Sequence, residues 1–228
     1  ANTAFNGSKL LDGTFKDAQF QVGSGNDTTD RISLSIGNAK ASALGVVGAT
    51  TGTSTFTAAT TVSTIALSAG DLSIKGYAIA ASSGDGVSYK SADGSAIAKA
   101  NAINASSSLT GITAEALSNT FTTAAVATGT LATAAGDLLI NGVDIGPLSL
   151  AATATERVTQ LVGAINAKTA QTGVSAKVNA LTATQIDFTA LDGRNITTTA
   201  GSTVAAGLAD VVTAGDTTTT AKLKFTSA

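Results

Sequence analysis

The octet AGDLSIKG at residues 69–76 returns, with two letters changed, as AGDLLING at residues 135–142. The match continues downstream. Ala102-Ile103-Asn104-Ala105 corresponds to Ala164-Ile165-Asn166-Ala167, and Thr110-Gly111-Ile112-Thr113-Ala114 to Thr172-Gly173-Val174-Ser175-Ala176. A chain that repeats itself at this spacing folds as copies of one supersecondary unit, stacked to bury what a single copy cannot. The octets lie 66 positions apart and the later segments 62. The first copy therefore carries about four extra residues, which we assign to the loop at Gly84-Asp85-Gly86.

Each copy reads as strand–turn–strand, helix, strand. In the first, Ala92–Ala105 places Ala96, Ile97, Ala100 and Ile103 at helical spacing. In the second, Thr153–Thr169 places Val158, Leu161, Val162 and Ile165 on one face. Thr153 and Glu156 have the spacing of a capping box, and Gly173 is a helix stop. The shift of 62 superposes Ala96, Ala100 and Ile103 on Val158, Val162 and Ile165, so the buried face is retained. Strands are expected at Gly111–Ala114, Val174–Val178 and Ile186–Phe188, with a turn at Asp192-Gly193 and alternation again at Leu223–Phe225. The first copy shows no counterpart of Ile186–Ile196. The repeated Ile-Asn is read as a helix terminus capped by Asn. A one-faced helix must lie on a sheet. The expected fold is thus α+β and strand-rich, with two tandem small sheet-plus-helix modules on a short β-rich stem.

The stem is residues 1–44. Gln19–Val22 and Arg31–Ile36 alternate and read as two antiparallel strands around a loop at Gly23–Asp27, with Phe5 and Phe15 packed beneath. The first module is residues 45–128, with Gly45–Ala59 read as strand and loop. The second module and return strand are residues 129–228, and a linker is expected near 127–134. Aromatics are 4% of the chain, without Trp or Met, so Ala, Val, Ile and Leu must do the burying. Small side chains bury little area each, which predicts thin layers rather than one thick core.

The chain has no Cys and no His. Zinc sites of the Cys/His kind, Cys nucleophiles and Ser-His-Asp triads are therefore excluded. Net charge is −2, and the 13 basic residues are scattered from Lys9 to Lys224. Nucleic-acid binding needs a concentrated basic face, which is absent, and no apolar run approaches a membrane span. The chain begins at Ala1 without a Met or a signal peptide, so we expect it to be a piece of a longer one. Asp85, Asp93, Asp187 and Asp192 are the carboxylates available for glycoside chemistry, but each sits near Gly in a turn context, where Asp serves the backbone. Gly23–Asp27 resembles one calcium-binding nonapeptide turn, a motif that works only as stacked copies. Thr197–Thr199 and Thr217–Thr220 read as exposed loop or edge strand, with O-glycan attachment as their functional reading. No catalytic, cofactor-binding or metal-ligating residue is assigned.

Residues 2–15 (NTAFNGSKLLDGTF), then Phe20-Gln21-Val22-Gly23, then Ile32–Ile36 closely resemble bacterial flagellin. The duplicated pieces around Ile140-Asn141-Gly142, Ala164-Ile165-Asn166 and Thr172–Ala176 resemble a module repeated in flagellin outer domains, and Lys75 in place of Asn141 is where the first copy departs. The resemblance implies the surface-exposed middle of a filament subunit, extracellular on the flagellum, folded out and back between terminal helices missing here. It implies a structural role in motility and antigenicity, without enzyme activity or cofactor. Implied partners are other flagellin subunits through those helices, antibodies, and O-linked glycans on Ser/Thr. Without His, the chain cannot carry the HExxH protease insert that some flagellins have. An adhesin, or a cap or hook-junction protein with the same module, is the alternative.

Overall fold

A computed structural model describes residues 4–5, 7–25, 27–38, 54–126, 132–200 and 216–227. The chain divides into two compact units, Ala1–Gly52 and Thr53–Ala228. Expectations for residues 45–53, for the linker at 127–131 and for the Phe5 side chain lie outside the described residues.

The first unit holds β1 (Ala4–Phe5), β2 (Ser8–Lys9), β3 (Ala18–Gln21) and β4 (Arg31–Leu34). β1 pairs antiparallel with β2, and β3 with β4. The register sets Phe20 opposite Ile32 and Ala18 opposite Leu34, so the alternation places these side chains on one face. Among the described residues this face is largely open. Phe20, Ile32 and Leu34 are exposed, as is Val22, while Phe15 is half-buried. The loop between the strands closes on a side chain. A Cβ at Gly23 or at Gly25 would lie 2.2 Å from a carboxylate oxygen of Asp30, so only glycine lets the backbone wrap this close. Gln21 Nε2 donates to the Gly23 and Gly25 carbonyls, at 3.0 and 2.6 Å, and locks the turn.

The second unit begins with β5 (Ser54–Thr57) and the hairpin β6 (Ser73–Ile74) and β7 (Tyr77–Ala78). Then come α1 (Ala96–Asn104), the single turn α2 (Ser107–Thr110) and β8 (Ile112–Ala116). After β9 (Asn119–Thr122) the plan repeats as β10 (Leu138–Ile140), β11 (Val143–Asp144), α3 (Ala154–Ala167), α4 (Thr169–Thr172) and β12 (Ser175–Val178). β13 (Ile186–Ala190), β14 (Ile196–Ala200), β15 (Asp216–Thr219) and β16 (Leu223–Ser227) complete it.

The octets are hairpins for a local reason. Lys75-Gly76 and Asn141-Gly142 all have positive φ, at 51°, 83°, 49° and 77°. Two such residues make the tight turn whose twist matches paired strands. Each octet's aspartate accepts the amide three residues before it, Ser68 to Asp71 and Ala134 to Asp137. The helices start where side chains cap them. Ser95 Oγ accepts from Ala98 N, and Thr153 Oγ1 accepts from Glu156 N. The Glu156 carboxylate returns to the amide of Ala152. Gly111 and Gly173 end the short helices in the left-handed conformation.

The repeated asparagines do something other than cap. Asn104 donates to the Ala114 carbonyl and accepts from the Ala114 amide, at 2.9 and 2.7 Å. Asn166 makes the same pair with Ala176, both bonds at 2.8 Å. Each amide thus ties the end of its helix to a β-strand, and Ala114 and Ala176 are buried at the point of contact.

Sheet pairing shows how the two copies are joined. One three-stranded sheet has the order β5-β16-β8, the other β9-β13-β12, all antiparallel. These sheets are copies of each other. Ser54–Thr57 (STFT) stands where Asn119–Thr122 (NTFT) stands, and Leu223–Ser227 (LKFTS) where Ile186–Ala190 (IDFTA) stands. The counterpart of Ile186–Ala190 missing from the first copy is thus at the far end of the chain. The second module, from Asn119 to Thr219, is nested between β8 and the strand that completes the first. The return path is held on both sides: Val62 N donates to Ala221 O, Ala58 N to Leu223 O and Leu117 N to Lys222 O.

Two cores result. One gathers Ile79, Ala96, Ala100, Ile103, Ala114, Ala221 and Leu223. The larger gathers Leu138, Ile140, Val158, Leu161, Ile165, Val174, Ile186, Phe188 and Ile196, closed by the four-stranded sheet β11-β10-β14-β15. Phe121 stacks on Phe188 at 4.8 Å, and Phe56 on Phe225 at 6.2 Å. Ala, Val, Ile and Leu supply most of both cores.

Lys75 occupies a left-handed turn position that asparagine tolerates better. Asn141, in the same place, also donates to the Thr172 carbonyl at 2.9 Å. We expect Lys75→Asn to raise stability by about 0.5–1 kcal/mol. Denaturant unfolding checks this; an unchanged or lower midpoint would contradict the strain at Lys75.

Candidate functional site

Three of the four candidate aspartates, Asp85, Asp187 and Asp192, engage their carboxylates with their own surroundings. Asp85 organises its loop: one carboxylate oxygen accepts from Val87 N and Ser88 N, the other from Ser88 Oγ. Burial pushes this carboxyl up, but the Ser88, Ser95 and Val87 hydrogen bonds outweigh it and hold it below the usual range. Asp192 is also raised by burial and lowered by more through Arg194, whose guanidinium it grips at 2.7 and 2.8 Å. Arg194 in turn lies over Gly173, where a Cβ would come within 2.3 Å of the guanidinium carbon. Asp187 stands on the outer face of its sheet. Hydrogen bonds from Asn179 and Thr122 lower its carboxyl, and Lys177 at 3.7 Å adds to this. Asp93 contributes its backbone carbonyl to Ser82 Oγ at 2.6 Å. These contacts are those of turns and sheet faces. Among the described residues no group of three His, Cys, Asp or Glu could hold a metal ion.

The threonine tracts differ from their expected exposure. Thr197 and Thr198 are buried in β14, an inner strand. Threonine fits there because it is β-branched and its hydroxyl finds a partner: Thr197 Oγ1 lies 2.9 Å from Thr218 Oγ1. Thr217–Thr219 do lie on an edge strand, β15, while Thr220 is buried and bonded to the Val62 carbonyl.

The most developed polar constellation is the contact between the modules, and the extra residues of the first copy build it. Asn195 is fully buried. Its amide donates to Ser88 Oγ at 2.9 Å, and its side chain donates to the Lys90 and Ser91 carbonyls at 2.9 and 3.0 Å. Lys90 pairs with Asp216, and Tyr89 lies flat against Gly142. Within the second module, Asn119 donates to the Arg194 and Thr219 carbonyls at 3.0 and 2.8 Å and so holds the segment that carries Asn195. The loop at residues 84–91, which holds the extra residues, is therefore a clasp. Sequence reasoning located the insertion but not its partner. Asn195 stands alone in the sequence, and only the sheet order brings it to the loop.

Fold and surface together define a strand-rich scaffold: two nested α+β modules clasped to each other, with candidate chemical groups engaged in turns, sheet faces and the clasp. No helix among the described residues is long and apolar enough to cross a membrane. No protein-family model matches the chain. Curated proteins do match it: the chain is 33% identical to flagellin A of Helicobacter felis over 213 residues, 92% of its length. It is 29% identical to flagellin A of Helicobacter pylori over 197 residues, 85% of its length. The chain is a relative of bacterial flagellin, and it spans 38% and 35% of those two proteins.

Asn195→Ala removes two buried hydrogen bonds and strands two carbonyls, at a cost of about 1–3 kcal/mol. We expect faster amide exchange at residues 84–93, with both helices still protected. Unchanged exchange in the loop would contradict the clasp.

Proposed function

We propose that the chain is the surface-exposed middle of a flagellar filament subunit, extracellular, with a structural rather than an enzymatic role. Kinship with flagellin A supports this reading. So does one structural observation: the chain enters and leaves its second unit side by side. Ser54 is the register partner of Ser227, and β5 and β16 run antiparallel. An element built this way suits insertion into a larger chain at a single point, with its modules displayed away from the parts that polymerise. Residues 1–44 form the stem of that insertion; residues 45–128 and 129–228 form the outer part. Its partners are other flagellin subunits through flanking terminal helices, antibodies that read the outer surface, and O-linked glycans on exposed hydroxyls such as Thr55, Thr57 and Thr120. Nucleic acid and membrane are not among them.

Electron microscopy with gold-labelled antibody against this chain, on cells that make it, tests the proposal. Continuous labelling along the filament is expected. Labelling only at the tip or the hook junction would assign the module to a cap or junction protein, and labelling of the envelope with bare filaments to an adhesin.

A further inference from the structure

The nested architecture sets a pairing problem. Two acceptor sheets of the same design each need a central strand, and the two central strands share one pattern: Leu-Lys-Phe-Thr-Ser at 223–227 and Ile-Asp-Phe-Thr-Ala at 186–190. Phe225 meets Ala114 and Phe56 in one sheet, as Phe188 meets Ala176 and Phe121 in the other. Thr226 meets Thr113 and Thr55, as Thr189 meets Ser175 and Thr120. These two rows and the register therefore do little to tell the strands apart.

The end rows differ in side-chain size, and the charged row differs in sign. On the outer face Lys224 is paired with Glu115 at 3.3 Å, whereas Asp187 is paired with Lys177 at 3.7 Å. If the strands were exchanged, Lys224 would face Lys177 and Asp187 would face Glu115. Both attractive pairs would become like-charge pairs. Asn179 and Thr122, which donate to Asp187 Oδ1, would face an ammonium that accepts nothing. Each exposed pair alone contributes little. The discrimination is larger than either pair, because exchange inverts both at once.

We infer that the opposite polarity of Glu115–Lys224 and Lys177–Asp187 is a recognition code that assigns each central strand to its own module. The same code opposes insertion of one copy's central strand into the non-equivalent module of a neighbouring copy. At the usual strength of cross-strand charge pairs it is worth about a tenfold preference.

The full chain lacks cysteine, which permits a disulfide reporter. Thr113→Cys, Ser175→Cys and Thr226→Cys together let residue 226 form a bridge to 113 in the native pairing or to 175 in the exchanged one. The chain is refolded under oxidising conditions and the bridges are mapped by mass spectrometry. Adding Glu115→Lys and Lys224→Asp keeps an attractive pair in both modules but removes the difference in sign. The share of 175–226 bridges is expected to rise about tenfold. Adding Lys177→Glu and Asp187→Lys as well restores opposite polarity and should return the share to its starting value. In about 1 M salt the reporter with native charges should move toward the double-charge variant, because screening weakens the code without touching the fold's packing. An unchanged share in the Glu115→Lys/Lys224→Asp variant, or a share insensitive to salt, overturns the inference.

Discussion

The structure of the second unit depends on one placement, the strand Leu223–Ser227 between Ser54–Thr57 and Ile112–Ala116. The two flanking strands do not pair with each other. Without the central strand, both would present open hydrogen-bonding edges, a state that sheets avoid. Leu223 and Ala221 also belong to the smaller core, so the same segment supplies both the ladder and part of the apolar interior. In chain order the second module lies between Ile112–Ala116, at one edge of this sheet, and Leu223–Ser227, at its centre. The second module closes its own sheet with its own strand, Ile186–Ala190, and has the larger core.

The rest of the unit holds the two modules in a fixed relation with few aromatic groups. Polar side chains take over where apolar bulk is short. Asn104 and Asn166 join helix to strand in each module, Asn119 holds the second module together around Arg194, and Asn195 joins that module to the first. Lys99, in the position of Leu161, carries its ammonium out of the core to the Ser63 carbonyl. Burial lowers its basicity and Asp93 offsets part of that effect. Buried amides aimed at backbone groups are directional, and they fix position where small side chains alone would allow sliding. For a decoration on a polymer surface, this gives shape without a thick core.

Much of this was legible in the sequence because its causes are local. The octets announced their hairpins through Gly and Asn at turn positions, the helices through their periodicity and the Thr153–Glu156 spacing, and the duplication through matching letters. What was not legible is long-range. Leu223–Ser227 shares only Phe-Thr with Ile186–Ala190 in identity, and its role follows from partners more than 100 positions away, Ile112–Ala116 and Ser54–Thr57. The threonines at 197 and 198 look like surface residues by hydropathy. They are buried because neighbouring strands satisfy them. One local contact was also hidden: Asn104 and Asn166 mark a helix end, and each binds the amide and carbonyl of a strand residue ten positions on, Ala114 and Ala176, a bridge that spacing alone does not distinguish from a cap. The stem is the converse case. Its hairpin was legible, yet the alternation that marks Ile32 and Leu34 as one face does not say what covers that face, and here both stay exposed.

The central claim is that the last strand closes the first module while the second is complete without it. Native-state hydrogen exchange on the chain with residues 221–228 removed tests it most directly. The account predicts that protection is lost at 54–57 and 112–116 and kept at 119–122, 175–178 and 186–190. Uniform loss across both sheets, or full protection of 112–116 without the final strand, would contradict it.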